Sequence, residues 1–242
     1  MASVNVLSPV WETLSATSPA PPVWVVLGAA ALALYGVVDT KTWRTTRHLV
    51  TLVHEGGHAV IAVATGRQLD GVKLRADTSG LTLSRGNPQG LGMIATAAAG
   101  YPGPTALGLV VTVGVVSGHL AATLWGCVFL VAAFLVVIRN LFGVLSVLVT
   151  GAILISVPIW APSAVQAAFG YLLAWFLLLS GTRPVLELHR ERHAVTDADI
   201  LARLTGVPRT GWVGVFLLIA VGGAAAGGWA LLGPTVWERL PG

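Results

Sequence analysis

A bundle of membrane-spanning helices with one small β-hairpin is the fold this sequence predicts: all-α, polytopic, with six to seven spans. Three observations predict it. Apolar residues fill 55% of the 242 positions and Asp, Glu, Lys and Arg only 10%, against roughly one quarter charged in soluble domains. The apolar residues come in blocks instead of an amphipathic pattern, and a run of about 20 is what a helix needs to satisfy its own backbone across lipid. One polar interruption alternates with period two, which is the signature of paired strands.

Taken in order, the chain opens with Met1 to Pro22, which lacks the positive stretch of a cleavable signal, so the first apolar block is expected to be retained. Spans are predicted at 23–39, 46–65, 91–117, 120–138, 141–159, 163–181 and 211–232. The third is broken by Tyr101-Pro102-Gly103-Pro104 and reads as a kinked span or a re-entrant segment followed by a shorter one. Between spans two and three, residues 66–90 carry Val72-Lys73-Leu74-Arg75 and Gly80-Leu81-Thr82-Leu83-Ser84, separated by a turn-forming Asp77-Thr78-Ser79-Gly80. That pattern predicts a surface β-hairpin. Residues 182–210 form a polar segment, within which 196–205 reads as a short helix capped by Thr196 and stopped by Gly206 and Pro208. No loop is long enough for a second domain, so 1–242 is one membrane domain.

The net charge of +4 does not mark a nucleic-acid binder, because no Lys/Arg cluster with interleaved aromatics occurs. The lone Cys127 rules out an internal disulfide and suits a small buried hydrophobe. With seven spans, 66–90, Arg139 and 182–210 share one side of the membrane and hold ten of the basic residues, leaving Lys41, Arg44, Arg47 and Arg239 on the other. The positive-inside bias then places 66–90 and 182–210 in the cytoplasm. Tryptophans such as Trp24, Trp160 and Trp212 fall near span ends, as an interfacial belt would.

The chemistry concentrates at His54-Glu55-Gly56-Gly57-His58. Residues four apart on a helix share a face, so His54 and His58 can bind one ion. Glu55, next to the first histidine, can reach the water that a metal activates and serve as its general base. About 0.003 chance matches to this pattern are expected in a chain of this composition. Glu55 is also the one acid in the interior of any predicted span, where a central carboxylate costs about 2.5–3.5 kcal/mol to insert. Ionisable groups at that depth usually face a cavity and have a function. Gly56 and Gly57 serve either close helix packing or the approach of a substrate backbone.

The sequence resembles the site-2 protease group of intramembrane zinc metalloproteases, and within it the M50B-like branch. The motifs that carry the resemblance are His54-Glu55-Gly56-Gly57-His58-Ala59, Thr65-Gly66-Arg67, Ala99-Gly100-Tyr101-Pro102-Gly103-Pro104, Arg139-Asn140-Leu141-Phe142-Gly143-Val144-Leu145, and Thr196-Asp197-Ala198-Asp199 with Leu201, Leu204-Thr205-Gly206 and Pro208. It covers residues 45–215. The resemblance implies a bound Zn2+, hydrolysis of membrane-protein or peptide substrates within or beside the bilayer, and residence in a bacterial plasma membrane. By the same resemblance, Asn140 and Gly100 are candidates for substrate contact.

A catalytic zinc takes three protein ligands and keeps one position open. Better-known members of the group draw the third from an Asp-Gly pair, and no acid follows Asn140 in its span. The alternatives are Asp39, Asp70, Asp77, Glu187, Asp197 and Asp199. Asp197 is expected to be the ligand, with Asp199 the next choice, although acids in a first helical turn also serve as ordinary caps. His119 and Asn140 are weaker ligand candidates. Two other classes stay open at this point: a catalytically silent membrane scaffold, and a transporter, which the broken third span would suit.

Overall fold

Asp39 decides how the chain enters the bundle. In the structure, a computed structural model that describes residues 12, 14–190 and 195–236, α1 (Val23–Val38) stops at Asp39, whose backbone is extended. The Asp39 carboxylate then accepts hydrogen bonds from the backbone N–H and hydroxyl of Thr42, 2.8 and 2.9 Å long, and starts α2 (Thr40–Ala64). A residue that ends one helix and caps the next fixes a sharp corner. The two helices meet at 98° and qualify as one broken span, where the sequence suggests two.

That corner changes the charge count. The Arg183 guanidinium donates to the carbonyls of Val37 and Val38, and Arg47 pairs with Glu187 at 2.8 Å. The corner and the basic start of α2 therefore lie against the segment after the sixth predicted span, not on the opposite side of the bundle. Arg47 groups with 182–190 and not with the far side, and Lys41 and Arg44 precede it on the first turns of the same helix.

α2 ends at Thr65 in a Schellman arrangement. Gly66 takes φ +73°, while Gly66 N–H donates to Val63 and Arg67 N–H to Ala62, which satisfies the last free carbonyls. The chain then doubles back as β1 (Gln68–Leu74) and β2 (Gly80–Arg85), an antiparallel pair. Thr78 in its turn accepts from the Thr51 hydroxyl at 2.8 Å, so the hairpin tip lies beside the middle of α2. The outer edge of β1 is closed. Arg139 N–H donates to Val72 O, and the Asn140 amide pairs with both backbone groups of Leu74. β2 has β1 as its one strand neighbour among the described residues.

The broken third span resolves into α3 (Leu91–Ala98) and α4 (Pro102–Val116), bent by 68°. Pro102 opens α4, a position where its missing N–H is no loss. α5 (Leu120–Val137), α6 (Leu141–Trp160), α7 (Ser163–Ser180) with its continuation α8 (Thr182–Arg190), and α10 (Arg209–Val236) complete the bundle around the short helix α9 (Asp197–Thr205). Among the described residues four helices are long and apolar enough to cross a membrane, or up to six spans if each bent pair is one. The chain is an all-α polytopic membrane protein with a two-stranded sheet.

Of three apolar clusters among the described residues, one packs Leu52 and Ala59 of α2 against Val72 and Leu74 of β1, Ile138 and Val147, and the other two hold the helices around it. One surrounds α7, whose Ala174, Leu177 and Leu178 are sealed against α1 and α4. The other joins Ala97 of α3, Val185 and Leu188 of α8, Ala198 and Leu201 of α9, and Val213 and Phe216 of α10. Ala198 and Leu201 are fully buried there, which clamps α9 onto α3 and points its first residue at α2.

Candidate metal centre and its neighbouring carboxylate

On α2 the one-turn spacing of His54 and His58 brings their Nε2 atoms within 3.1 Å. The Asp197 Oδ2 completes a triangle, 3.3 Å from His54 Nε2 and 3.2 Å from His58 Nε2. Ligands around a tetrahedral zinc with bonds of about 2.0–2.1 Å lie roughly 3.3–3.4 Å apart. The observed spacing fits one ion, and these three residues are a group that could hold it.

Second contacts agree with that fit. His58 Nδ1 lies 2.7 Å from the Thr96 carbonyl. A carbonyl only accepts, so Nδ1 carries the proton and Nε2 presents its lone pair to the triangle. The His54 ring is braced edge-on by Tyr101, with centroids 4.8 Å apart, and Tyr101 in turn stacks on Phe216. Gly100 stands directly against both imidazoles: a Cβ there would sit 2.6 Å from His54 Nε2 and closer still to His58 Nε2.

Glu55 is buried and faces the hairpin. The Thr82 hydroxyl donates to Glu55 Oε2 at 2.6 Å, and Gly80 packs on the carboxyl so closely that a Cβ there would stand 2.6 Å from Glu55 Cδ. His54 and Glu55 both line an open cavity of about 180 Å³, bounded also by Thr78, Ser79 and Gly80 at the hairpin tip and by Tyr101. The arrangement offers three metal donors, one of which, His54, lines the same cavity as the Glu55 carboxylate.

The structure thus brings together His54, His58, Asp197, Glu55 and Gly100. The other acids are engaged elsewhere. Asp199 accepts from the Thr196 backbone and hydroxyl and pairs with Arg209, which is a cap. Asp39 caps α2, Asp70 binds Arg85, Asp77 binds Ser79, and Glu187 binds Arg47, Arg183 and Trp43. His119 contacts Ser117 in the loop before α5. The Asn140 amide is occupied by Leu74, not directed into the cavity. Gly57 faces the backbone of Ala99 and Gly56 the ring of Phe134, so both glycines serve close packing.

Thr96, Thr82 and Gly80 carry no motif that marks them as site residues in the sequence, and Tyr101 lies within the Ala99–Pro104 motif without being singled out there. The alternation of 80–84 does place Thr82 on the strand face opposite Leu81 and Leu83, a signal that could have found it. The Thr96 contact uses a backbone carbonyl, for which no side chain gives a signal.

Neither a curated protein nor a solved structure matches the chain. The family described as Peptidase M50B-like matches residues 27–227, a stretch that runs from the first helix into the last and includes every group in the triangle. The chain belongs to the Peptidase M50B-like family.

Proposed function

We propose that this protein is a zinc-dependent intramembrane peptidase in which His54, His58 and Asp197 hold the ion and Glu55 is the general base. The observation that carries the reading is the triangle of donors 3.1–3.3 Å apart, with the buried carboxylate of the adjacent Glu55 lining the same cavity as His54. When bound, zinc lowers the pKa of a coordinated water to about 7 and polarises the carbonyl under attack.

The chain's own groups do the rest. Glu55 takes the proton from the attacking water and returns it to the leaving amine nitrogen. Thr82, by donating to Oε2, leaves the other carboxyl oxygen for that transfer. Thr96 and Tyr101 hold the two imidazoles in register. The free edge of β2 is suited to pairing with an extended substrate strand, which would carry a scissile bond past Glu55. Photocrosslinkers in 80–85 that capture no substrate would remove that step.

The substrates are membrane proteins or peptides, and the metal is Zn2+. The corner at Asp39 adds Lys41, Arg44 and Arg47 to the side of 66–90 and 182–210, so the positive-inside bias places that side in the cytoplasm of the plasma membrane. A cysteine introduced at Asp77 should react with a membrane-impermeant reagent from the cytoplasmic side alone. Labelling from outside would reverse the orientation.

The deciding experiment is zinc analysis and proteolysis on detergent-purified protein. One zinc per chain is expected, lost in His58→Ala and in Asp197→Ala, with Glu55→Gln keeping the metal and losing cleavage. Zinc without cleavage by the wild type would favour a silent scaffold. No zinc after reconstitution would end the metallopeptidase reading.

A further inference from the structure

The face of α2 that carries His54 and His58 continues toward its start. Arg47, Val50, Thr51, His54 and Glu55 all line the same cavity, at the three- and four-residue spacing of one helical face. Arg47 stands seven residues before His54, about 10.5 Å along the helix at 1.5 Å per residue.

The charge around Arg47 is unbalanced. Its guanidinium Nη1 meets Glu187 Oε2 at 2.8 Å, and Glu187 is its one partner among the described residues. The same carboxylate also takes Arg183 Nε at 3.3 Å and Trp43 Nε1 at 3.0 Å. Two guanidiniums thus share one carboxylate. Arg183 is further tied to the Val37 and Val38 carbonyls and lies over the Trp43 ring. Arg47 has four N–H donors left and a side chain 36% exposed. The remaining walls are Val50, Pro104, Gly181, Pro184 and the hairpin tip, and Glu55 is the one carboxylate among the residues lining the cavity.

We propose that Arg47 is a specificity-determining residue that binds a carboxylate of the peptide substrate on the hairpin-tip side of the scissile bond. An extended chain advances about 3.3 Å per residue, so the carboxylate belongs about three residues from the bond cleaved. It comes either from an Asp or Glu side chain or from a free C-terminus. The inference rests on the peptidase reading, since the register is counted from the metal centre.

The test uses zinc-loaded full-length protein and two sets of apolar peptides with mapped cleavage sites. One set carries Glu or Gln at each position in turn and has an amidated C-terminus. The other lacks acidic side chains and ends in a free or an amidated carboxyl group. Cleavage by the wild type should favour a carboxylate three residues from the cut, and the set that shows it identifies the source. In Arg47→Gln the ratio of kcat/KM for the acidic over the neutral peptide should fall about 10- to 100-fold, the range for losing a charged hydrogen bond, while Arg47→Lys should retain part of it. Zinc content and melting measured on each variant separate a folding defect from a recognition defect. An acidic preference that survives Arg47→Gln in folded protein, or cleavage by the wild type with no such preference, overturns the proposal. If the wild type cleaves nothing, binding of the same peptides to Glu55→Gln decides: Arg47-dependent binding of the acidic peptide keeps the carboxylate site and discards the peptidase reading, and equal binding of both peptides discards the site.

Discussion

Replacing Gly100 with Ala tests the metal centre without touching a ligand. The new Cβ would lie 2.6 Å from both Cε1 and Nε2 of His54, and nearer still to His58 Nε2. Carbon–nitrogen contacts are comfortable at about 3.5 Å, so the His54 imidazole would have to move by roughly 0.9 Å and that of His58 further. Ligand distances in a working metal site hold to about 0.2 Å. Neither ring has an easy retreat, because His58 Nδ1 is held at 2.7 Å from Thr96 O and Tyr101 packs against His54. Losing one outer-shell partner already weakens metal binding about 10- to 100-fold, and a displacement of both histidines should reach the upper end of that range or beyond. Competition with a fluorescent zinc chelator measures it. Gly126→Ala is the control, since nothing lies within 4 Å of a Cβ there. Zinc affinity in Gly100→Ala within threefold of the wild type, in protein that melts normally, would refute the assignment of the ion to this triangle.

Two other substitutions separate functions that the site combines. Gly80→Ala drives a methyl group into Glu55, 2.6 Å from its Cδ, and should keep the zinc while lowering kcat by at least ~100-fold, the scale of one general acid–base group; stoichiometric zinc with full activity would clear Glu55 of the role. Asp199→Ala removes the cap that binds the Thr196 N–H and hydroxyl and should lower stability by about 1 kcal/mol, read as a drop in melting temperature. Its zinc stoichiometry should remain at one, in contrast to Asp197→Ala two residues earlier.

How far the site is legible in the sequence depends on which forces assemble it. His54, Glu55 and His58 can be read because their geometry is set within one helical turn, and the helix itself comes from local pattern. The spans are legible for the same reason, since apolar run length is a local property. The corner at Asp39 is not. A short polar stretch between two apolar runs reads as a loop joining separate spans, and only the tertiary structure shows the 98° corner and the contacts of Arg183 with Val37 and Val38 that hold it.

Asp197 lies between these cases. The sequence ranks it first among six candidate acids with Asp199 next, yet nothing local distinguishes the two, because both fall in the first turn of the same short helix. What separates them is rotation about the α9 axis. Ala198 and Leu201 go into the cluster with Ala97, Val213 and Phe216, and once that apolar face is seated, Asp197 is turned to α2 while Asp199 folds back onto Thr196. The third donor is therefore supplied by a packing decision and not by a motif. The centre then depends on tertiary contacts that hydropathy cannot register: disrupting Leu201, which touches no donor, should release zinc as surely as replacing a ligand, by letting α9 leave the bundle. Leu201→Ala that loses buried apolar contacts but keeps full zinc affinity would show that Asp197 is held by the ion itself and not by the fold.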